Sequence, residues 1–248
     1  MALPLAQRLN NPDVYASAPG RVEFIGNHTD YNGGWVLGAT IDRRVAVGLS
    51  RREDDGVTLE SDGGVPSVRV SLGEVEAQTE KRTWANYVLG VLSVLREEGL
   101  DVGTGFDLQV RSTLPVGAGL SSSAALELAA AFALNEAYGG GFDRKALALA
   151  GQRAENEFVG VPCGFLDQAV VAFGNEDRLV CLNARTEEVP PFRPGRASGF
   201  SRPTSLTRWL RPTTRIATTN RGPPTTASMV CSVEGSPSRT SRPRSLHR

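Results

Sequence analysis

The stretch "LPVGAGLSSSAALELAAAFALNEAYGG", residues 114–140, constrains the fold more than any other part of this chain. Two glycines with one residue between them permit backbone conformations closed to other residues. Three serines follow, then a long Ala/Leu run that predicts a helix ending at the next glycines. Free amide N–H groups and the positive end of the helix dipole then point out of the turn, which suits an anion such as a phosphate chain. Ser123 is placed to offer a hydroxyl to a magnesium ion riding on those phosphates. A plain glycine turn with a serine cap explains the same residues, and the segment alone does not decide between the two. It is not the common P-loop, which places Lys-Ser/Thr after its second glycine. The Lys and His-Arg-Asp set of a protein kinase is likewise not found.

The remaining periodicities predict an α+β or α/β pattern. "RRVAVGLSR" (43–51) and "PSVRVSL" (66–72) read as strands with turn residues between them, and "GFDLQVRSTL" and "RLVCLNA" as further strands. "WANYVLGVLSVLREEG" (84–99) reads as a helix stopped by Gly99, and "DRKALALAGQRAENEFVG" as a helix opening at Asp143. "DQAVVAFG" could continue helical.

Forty per cent hydrophobic and 22% charged residues in 248 are enough for a real core. The formal net charge of zero hides a split. Residues 196–248 hold ten arginines, one acid, no lysine, and 24 Ser, Thr or Pro among 53 residues. That leaves 17 basic and 26 acidic residues in 1–195, so the two parts carry about −9 and +9. The tail has too few aliphatic side chains to offset the entropy of ordering it, so a disordered basic tail is expected. A nucleic-acid-binding tail is one reading of it. Arg, Pro, Ser and Thr without Lys is also what GC-rich DNA yields when read out of frame, and this fits better, with a break near "PPFRPG" (190–195). Cys163, Cys181 and Cys231 are widely spaced and frame no disulfide or metal site. A cytoplasmic protein, with no signal peptide and no membrane span, is the expectation.

Near the start, "APGRVEFIGNHTDYNGG" (18–34) gathers Arg21, Glu23, Asn27, His28 and Asp30 among glycines. A ligand with many hydroxyl groups would want such donors and acceptors; a strand and its turn could also carry them by chance. This segment, "LPVGAGLSSSAALE" (114–127) and "AENEFVGVPCGFLDQ" (154–168) occur in an order and at spacings that resemble the galactokinases of the GHMP small-molecule kinase superfamily. The resemblance covers about residues 11–192. It implies an α+β N-terminal domain of the GHMP-kinase type over residues 1–195, a mixed sheet packed with helices like ribosomal protein S5 domain 2.

The resemblance further implies transfer of the ATP γ-phosphoryl group to the anomeric hydroxyl of galactose or a related monosaccharide. Asp167 and Arg21 match the catalytic pair. Asn27, His28, Thr29 and Asp30 match the sugar-binding segment. Gly117, Ala118, Gly119, Leu120, Ser121, Ser122 and Ser123 match the ATP phosphate loop. Ser123 and Glu155 match the residues associated with Mg2+. Cys163 reads as a small buried residue. Implied partners are the sugar and ATP, with no nucleic acid and no membrane; the oligomeric state is open, a monomer being expected. A sugar- or nucleotide-binding module without catalysis is the alternative.

Two departures stand out. Glu23 occupies a position where the family usually has Asn, and Asn27 one where it usually has Glu, which bears on sugar preference. The family also continues for more than a hundred residues with a second domain that is not visible here. An exposed apolar face and little or no turnover are therefore expected.

Overall fold

The computed structural model describes residues 9–26, 28–115, 117–175 and 178–190, together with the backbone of Arg215–Thr218. Asn27 and the rest of the predicted tail lie outside the described residues.

Strand β1 (Val14–Ile25) and strand β2 (Trp35–Arg51) form a long antiparallel hairpin, with irregularities between Pro19 and Arg21 and between Glu23 and Ile25. Strands β3 (Gly56–Ser61) and β4 (Val68–Ser71) form a second hairpin. Strand β5 (Phe106–Ser112) joins the two, antiparallel to β2 and parallel to β3. The sheet order is β4-β3-β5-β2-β1-β7, where β7 is Arg215–Thr218. Strand β6 (Val180–Asn183) pairs with Trp35–Gly38 at the start of β2, on the side that β5 occupies further along. The sheet is therefore mixed.

Two strands differ from the sequence reading. Strand β3 lies where turn residues are expected. Val57 and Leu59 alternate into the core with exposures of 1% and 0%, but the run is short and flanked by acids and glycines, so its period is masked. Strand β7 falls in the segment where no strand is expected. It adds by backbone pairing to the edge of β1, from Val14 opposite Thr218 to Ser17 opposite Arg215, a pairing that an open edge offers to any extended segment.

Helix α1 (Asn86–Glu97) follows a six-residue 3-10 turn, Glu80–Ala85. The Leu100 N–H closes the end of α1 on the Leu95 carbonyl, just past Gly99. Helix α2 (Ser122–Ala137) buries every residue from Ala124 to Leu134. A helix apolar all round has to lie at the centre of the core, and α2 packs across β1 and β2 with α1 and α3 against it. Its alanines allow that close approach. Helix α3 (Arg144–Arg153) opens at Asp143, whose Oδ1 accepts from the Ala146 N–H at 2.8 Å.

The sequence predicts one continuous helix through residue 160. Instead α3 passes into a π turn, Ala154–Val159, before Gly160. The wider turn lets two consecutive residues, Ala154 and Glu155, both face inward. Helix α4 (Leu166–Phe173) packs on α3, β1 and β2. Its N-terminus meets the middle of β1 and the start of α2, and the candidate site lies there. Among the described residues no helix is long and apolar enough to cross a membrane.

Candidate active site

Three segments far apart in sequence converge on Asp167, in the first turn of α4. Arg21, on β1, donates from Nε to Asp167 Oδ1 at 2.8 Å, and its Nη2 lies 2.6 Å from the same oxygen. Arg21 Nη1 donates to the Gly119 carbonyl at 2.8 Å, and the Arg21 backbone N–H donates to the Leu120 carbonyl at 3.1 Å. One arginine thus ties β1, the glycine loop and α4 together. From the same loop, Ser121 Oγ donates to Asp167 Oδ2 at 2.5 Å. The pair is largely sheltered, with side-chain exposures of 13% for Arg21 and 28% for Asp167. An ion pair held that far from water depends strongly on both partners being present.

The loop has the predicted form. Gly117 and Gly119 have φ of 73° and 67°, and Gly117, Ala118 and Gly119 are exposed. Leu120, Ser122 and Ser123 are half-buried and Ser121 is buried. Ser121 stands at the N-cap of α2 yet makes no side-chain cap bond, so the first N–H groups of α2 still face the loop.

Gly26 and residues 28–34 are held in a compact turn. The Asp30 and Thr29 N–H groups donate to the Gly26 carbonyl, and the Gly34 N–H donates to the Thr29 carbonyl. Thr29 Oγ1 donates to the Trp35 carbonyl at 2.9 Å and lies 3.2 Å from the Gly26 carbonyl oxygen, so this hydroxyl holds the turn. His28 is exposed, with Nδ1 2.6 Å from the Tyr31 hydroxyl. Asp30 reaches across to α4, where its Oδ1 accepts from the Leu166 N–H at 3.1 Å. Gly164 makes room for it: a Cβ there would sit 1.9 Å from Asp30 Oδ2. Burial pushes the Asp30 carboxyl above its ordinary value, and the charges of Asp167 and Glu23 add to this, against the opposing N–H groups of Leu166 and Phe165. The fold brings Arg21, Asp30, Asp167 and the glycine loop into one region. Asn27 lies outside the described residues.

Behind Asp167 lies a polar cluster that the sequence reading had in part. Glu155 is buried, and its Oε2 accepts from Gln168 Nε2 at 2.8 Å and lies 3.5 Å from the Cys163 thiol. Gln168 Nε2 also donates to Glu127 Oε2 at 2.9 Å. Glu127 and Gln168 are missed by sequence reasoning, because "AALELA" and "DQAVV" read as ordinary helix. Burial, and then the charge of Glu155, push the Glu127 carboxyl well above its ordinary value. Burial and Glu155 also push the Cys163 thiol up, so this cysteine is no nucleophile.

Among the described residues no three His, Cys, Asp or Glu side chains gather into a metal cage. Ser123 at the start of α2 is half-buried, and Glu155 is buried with its Oε2 against Gln168 Nε2.

Comparison with known proteins agrees with this geometry. Residues 86–175 match the family "GHMP kinases N terminal domain". The Methanococcus jannaschii mevalonate kinase structure shares the fold, with a TM-score of 0.62 at 17% identity over 75% of this chain and 57% of that one. The loop, the paired Arg and Asp, and this match define the N-terminal domain of a GHMP kinase. Residues 6–51 match the galactokinase galactose-binding signature. The chain is 46% identical to galactokinase of Thermococcus kodakarensis over 169 residues, 68% of this chain and 47% of that protein. It is 36% identical to the Staphylococcus carnosus galactokinase over 71% of this chain and 46% of the relative. A structure of Lactococcus lactis galactokinase complexed with galactose aligns with a TM-score of 0.68 at 35% identity, over 72% of this chain and 46% of that one. The chain thus carries a GHMP-kinase N-terminal domain and the galactokinase galactose-binding signature, and is similar to galactokinases over that part. It spans about half the length of the curated relatives it matches.

Proposed function

We propose that this chain carries the phosphoryl-transfer half of a sugar kinase that phosphorylates the anomeric hydroxyl of galactose, or of a related monosaccharide, with ATP. The observation that carries the reading is the Arg21–Asp167 pair, set where β1, the glycine loop and α4 meet. In this reading the amides of Gly117–Ser123 and the N-terminus of α2 hold the phosphate chain. Asp167 receives the anomeric hydroxyl, orients it in line with the γ-phosphorus and takes its proton as the new O–P bond forms. The bond from the γ-phosphorus to the bridging oxygen breaks, and ADP leaves. Arg21 faces the charge spread over the transferring group.

Ser123 and Glu155 would hold Mg2+, which neutralises phosphate charge when bound. Asn27, His28 and Asp30 would contact sugar hydroxyls, with Thr29 fixing the turn that presents them. Glu23 leaves the same face of β1 as Arg21, two residues on. Its charge makes the smallest contribution to the raised Asp30 carboxyl. The cytoplasm, where ATP is held, is the place for this reaction.

The test is ADP release from MgATP with galactose, run beside calorimetric titration with each ligand. Asp167→Asn should lower kcat by roughly 10²–10⁴-fold and leave ligand binding within a few-fold. Turnover unchanged in Asp167→Asn would remove the aspartate from the mechanism. Binding heat without ADP release, even when the C-terminal half of a galactokinase is supplied, would assign the chain as a binding module instead.

A further inference from the structure

We propose that Ser121 is a positioning residue that makes the availability of Asp167 depend on the phosphate chain. Both oxygens of Asp167 are engaged, Oδ1 by two nitrogens of Arg21 and Oδ2 by the Ser121 hydroxyl. Ser121 is itself part of the glycine loop, between Leu120, whose carbonyl takes the Arg21 N–H, and the first residue of α2. A serine hydroxyl has one proton to donate. It donates either to Asp167 Oδ2 or to a phosphate oxygen in the loop, not to both.

The backbone is shaped for this choice. Ser121 has φ 54° and ψ 51°, a left-handed conformation that a residue with a Cβ adopts only at a steric cost. An N-cap serine ordinarily bonds an N–H of the first helical turn, and this one does not. The conformation therefore leaves those N–H groups to an anion and turns the hydroxyl toward Asp167. With a triphosphate in the loop, the hydroxyl rotates to a phosphate oxygen, and Oδ2 is released to accept from the sugar hydroxyl. Nucleotide and sugar then bind cooperatively, and Asp167 is free to receive the sugar hydroxyl only beside a phosphate. The inference rests on the phosphate-loop reading given above.

The experiment uses the full chain labelled with 13C at aspartate carboxyls and 15N at amides, titrated with metal-free inorganic triphosphate. Asp167→Asn identifies the Asp167 carbon signal. In the wild type the loop amides and the Asp167 carboxyl carbon should shift together. In Ser121→Gly, which accepts φ 54° without strain, the amides should still shift while the Asp167 signal stays put. Ser121→Ala serves as a second hydroxyl-free variant. In calorimetry, triphosphate should raise galactose affinity on the order of tenfold in the wild type, the worth of one hydrogen bond to a charged group, and by less than about twofold in Ser121→Gly. Loop amides that shift while Asp167 does not, or an Asp167 shift that persists in Ser121→Gly, overturns the proposal. Loop amides that do not shift at all overturn the phosphate-loop reading, and the proposal with it.

Discussion

Gly164→Ala tests the geometry of the site through a single methyl group. Gly164 does not have a positive φ, so the backbone accepts alanine and the effect is steric. The added Cβ would lie 1.9 Å from Asp30 Oδ2, 2.3 Å from its Cγ and 2.7 Å from Oδ1. All three are far inside van der Waals contact, so the Asp30 carboxylate has to leave. It then loses the Leu166 N–H. A hydrogen bond to a charged group contributes about 1.5–3 kcal/mol, and overpacking adds about 1–3 kcal/mol. Against this, the carboxylate regains water that its burial had taken away. The expected net loss of unfolding free energy is about 2–4 kcal/mol in urea denaturation, with an unchanged m-value. In an Asp30→Ala background the methyl meets no carboxylate, and the same substitution should be neutral or stabilise by up to about 1 kcal/mol, through the lower entropy of the unfolded chain. The sign change is the signature. Equal costs in the two backgrounds would refute the argument that Asp30 lies on Gly164.

Two further substitutions probe the supports of the site. Asp143→Ala removes the cap that accepts from the Ala146 N–H and should cost about 1 kcal/mol in urea denaturation, with galactose affinity unchanged. Glu127 has a carboxyl raised well above its ordinary value, so the folded chain holds a proton that the unfolded chain has released. Stability contributed by this group is present below the usual carboxylate range and is lost as pH rises through the raised value. Glu127→Gln keeps the shape without the charge. Its melting temperature should exceed that of the wild type at neutral pH, and the difference should close toward roughly pH 4; a variant less stable at neutral pH would contradict this.

The parts of the molecule that were legible in sequence are those with a local cause. The glycine pair and serines of 117–123, the Ala/Leu run of α2 and the Asp143 cap each state their conformation within a few residues, and the structure has them. The Arg21–Asp167 pair separates 146 positions, and no periodicity links such residues; only the joint presence of three motifs did. Strand β3 was missed because two inward side chains are too few to set a period. Glu127 and Gln168 were missed because a polar residue inside an apolar helix looks like any surface position until a second polar group is found opposite it. The π turn was missed because it shifts the helical register by one residue, which a sequence cannot announce. Thr29 reads as a site residue but spends its hydroxyl on the carbonyls of Gly26 and Trp35.

The N-terminus of α4 gathers two carboxylates and treats them differently, and the division follows from what each one touches. Asp30 approaches from outside the helix and is held by the backbone N–H of Leu166, so it gains the favourable end of the dipole. Among the described residues it makes no ion pair, and burial makes its charge costly. Asp167 belongs to the helix itself and is matched by the Arg21 guanidinium, fixed in place by the loop carbonyl of Gly119. A carboxylate held by N–H groups and pressed by burial is suited to accepting from fixed hydroxyls, where each bond relieves part of its desolvation. A carboxylate paired with an arginine that also faces the phosphate loop is suited to the place where charge moves during transfer. The Phe24, Ile25, Tyr31 and Trp35 side chains, all exposed where β1 passes into β2, surround the Asp30 side of this arrangement in sequence. Four of the exposed large apolar side chains among the described residues thus flank or lie in the turn that follows β1, within the stretch matching the galactose-binding signature.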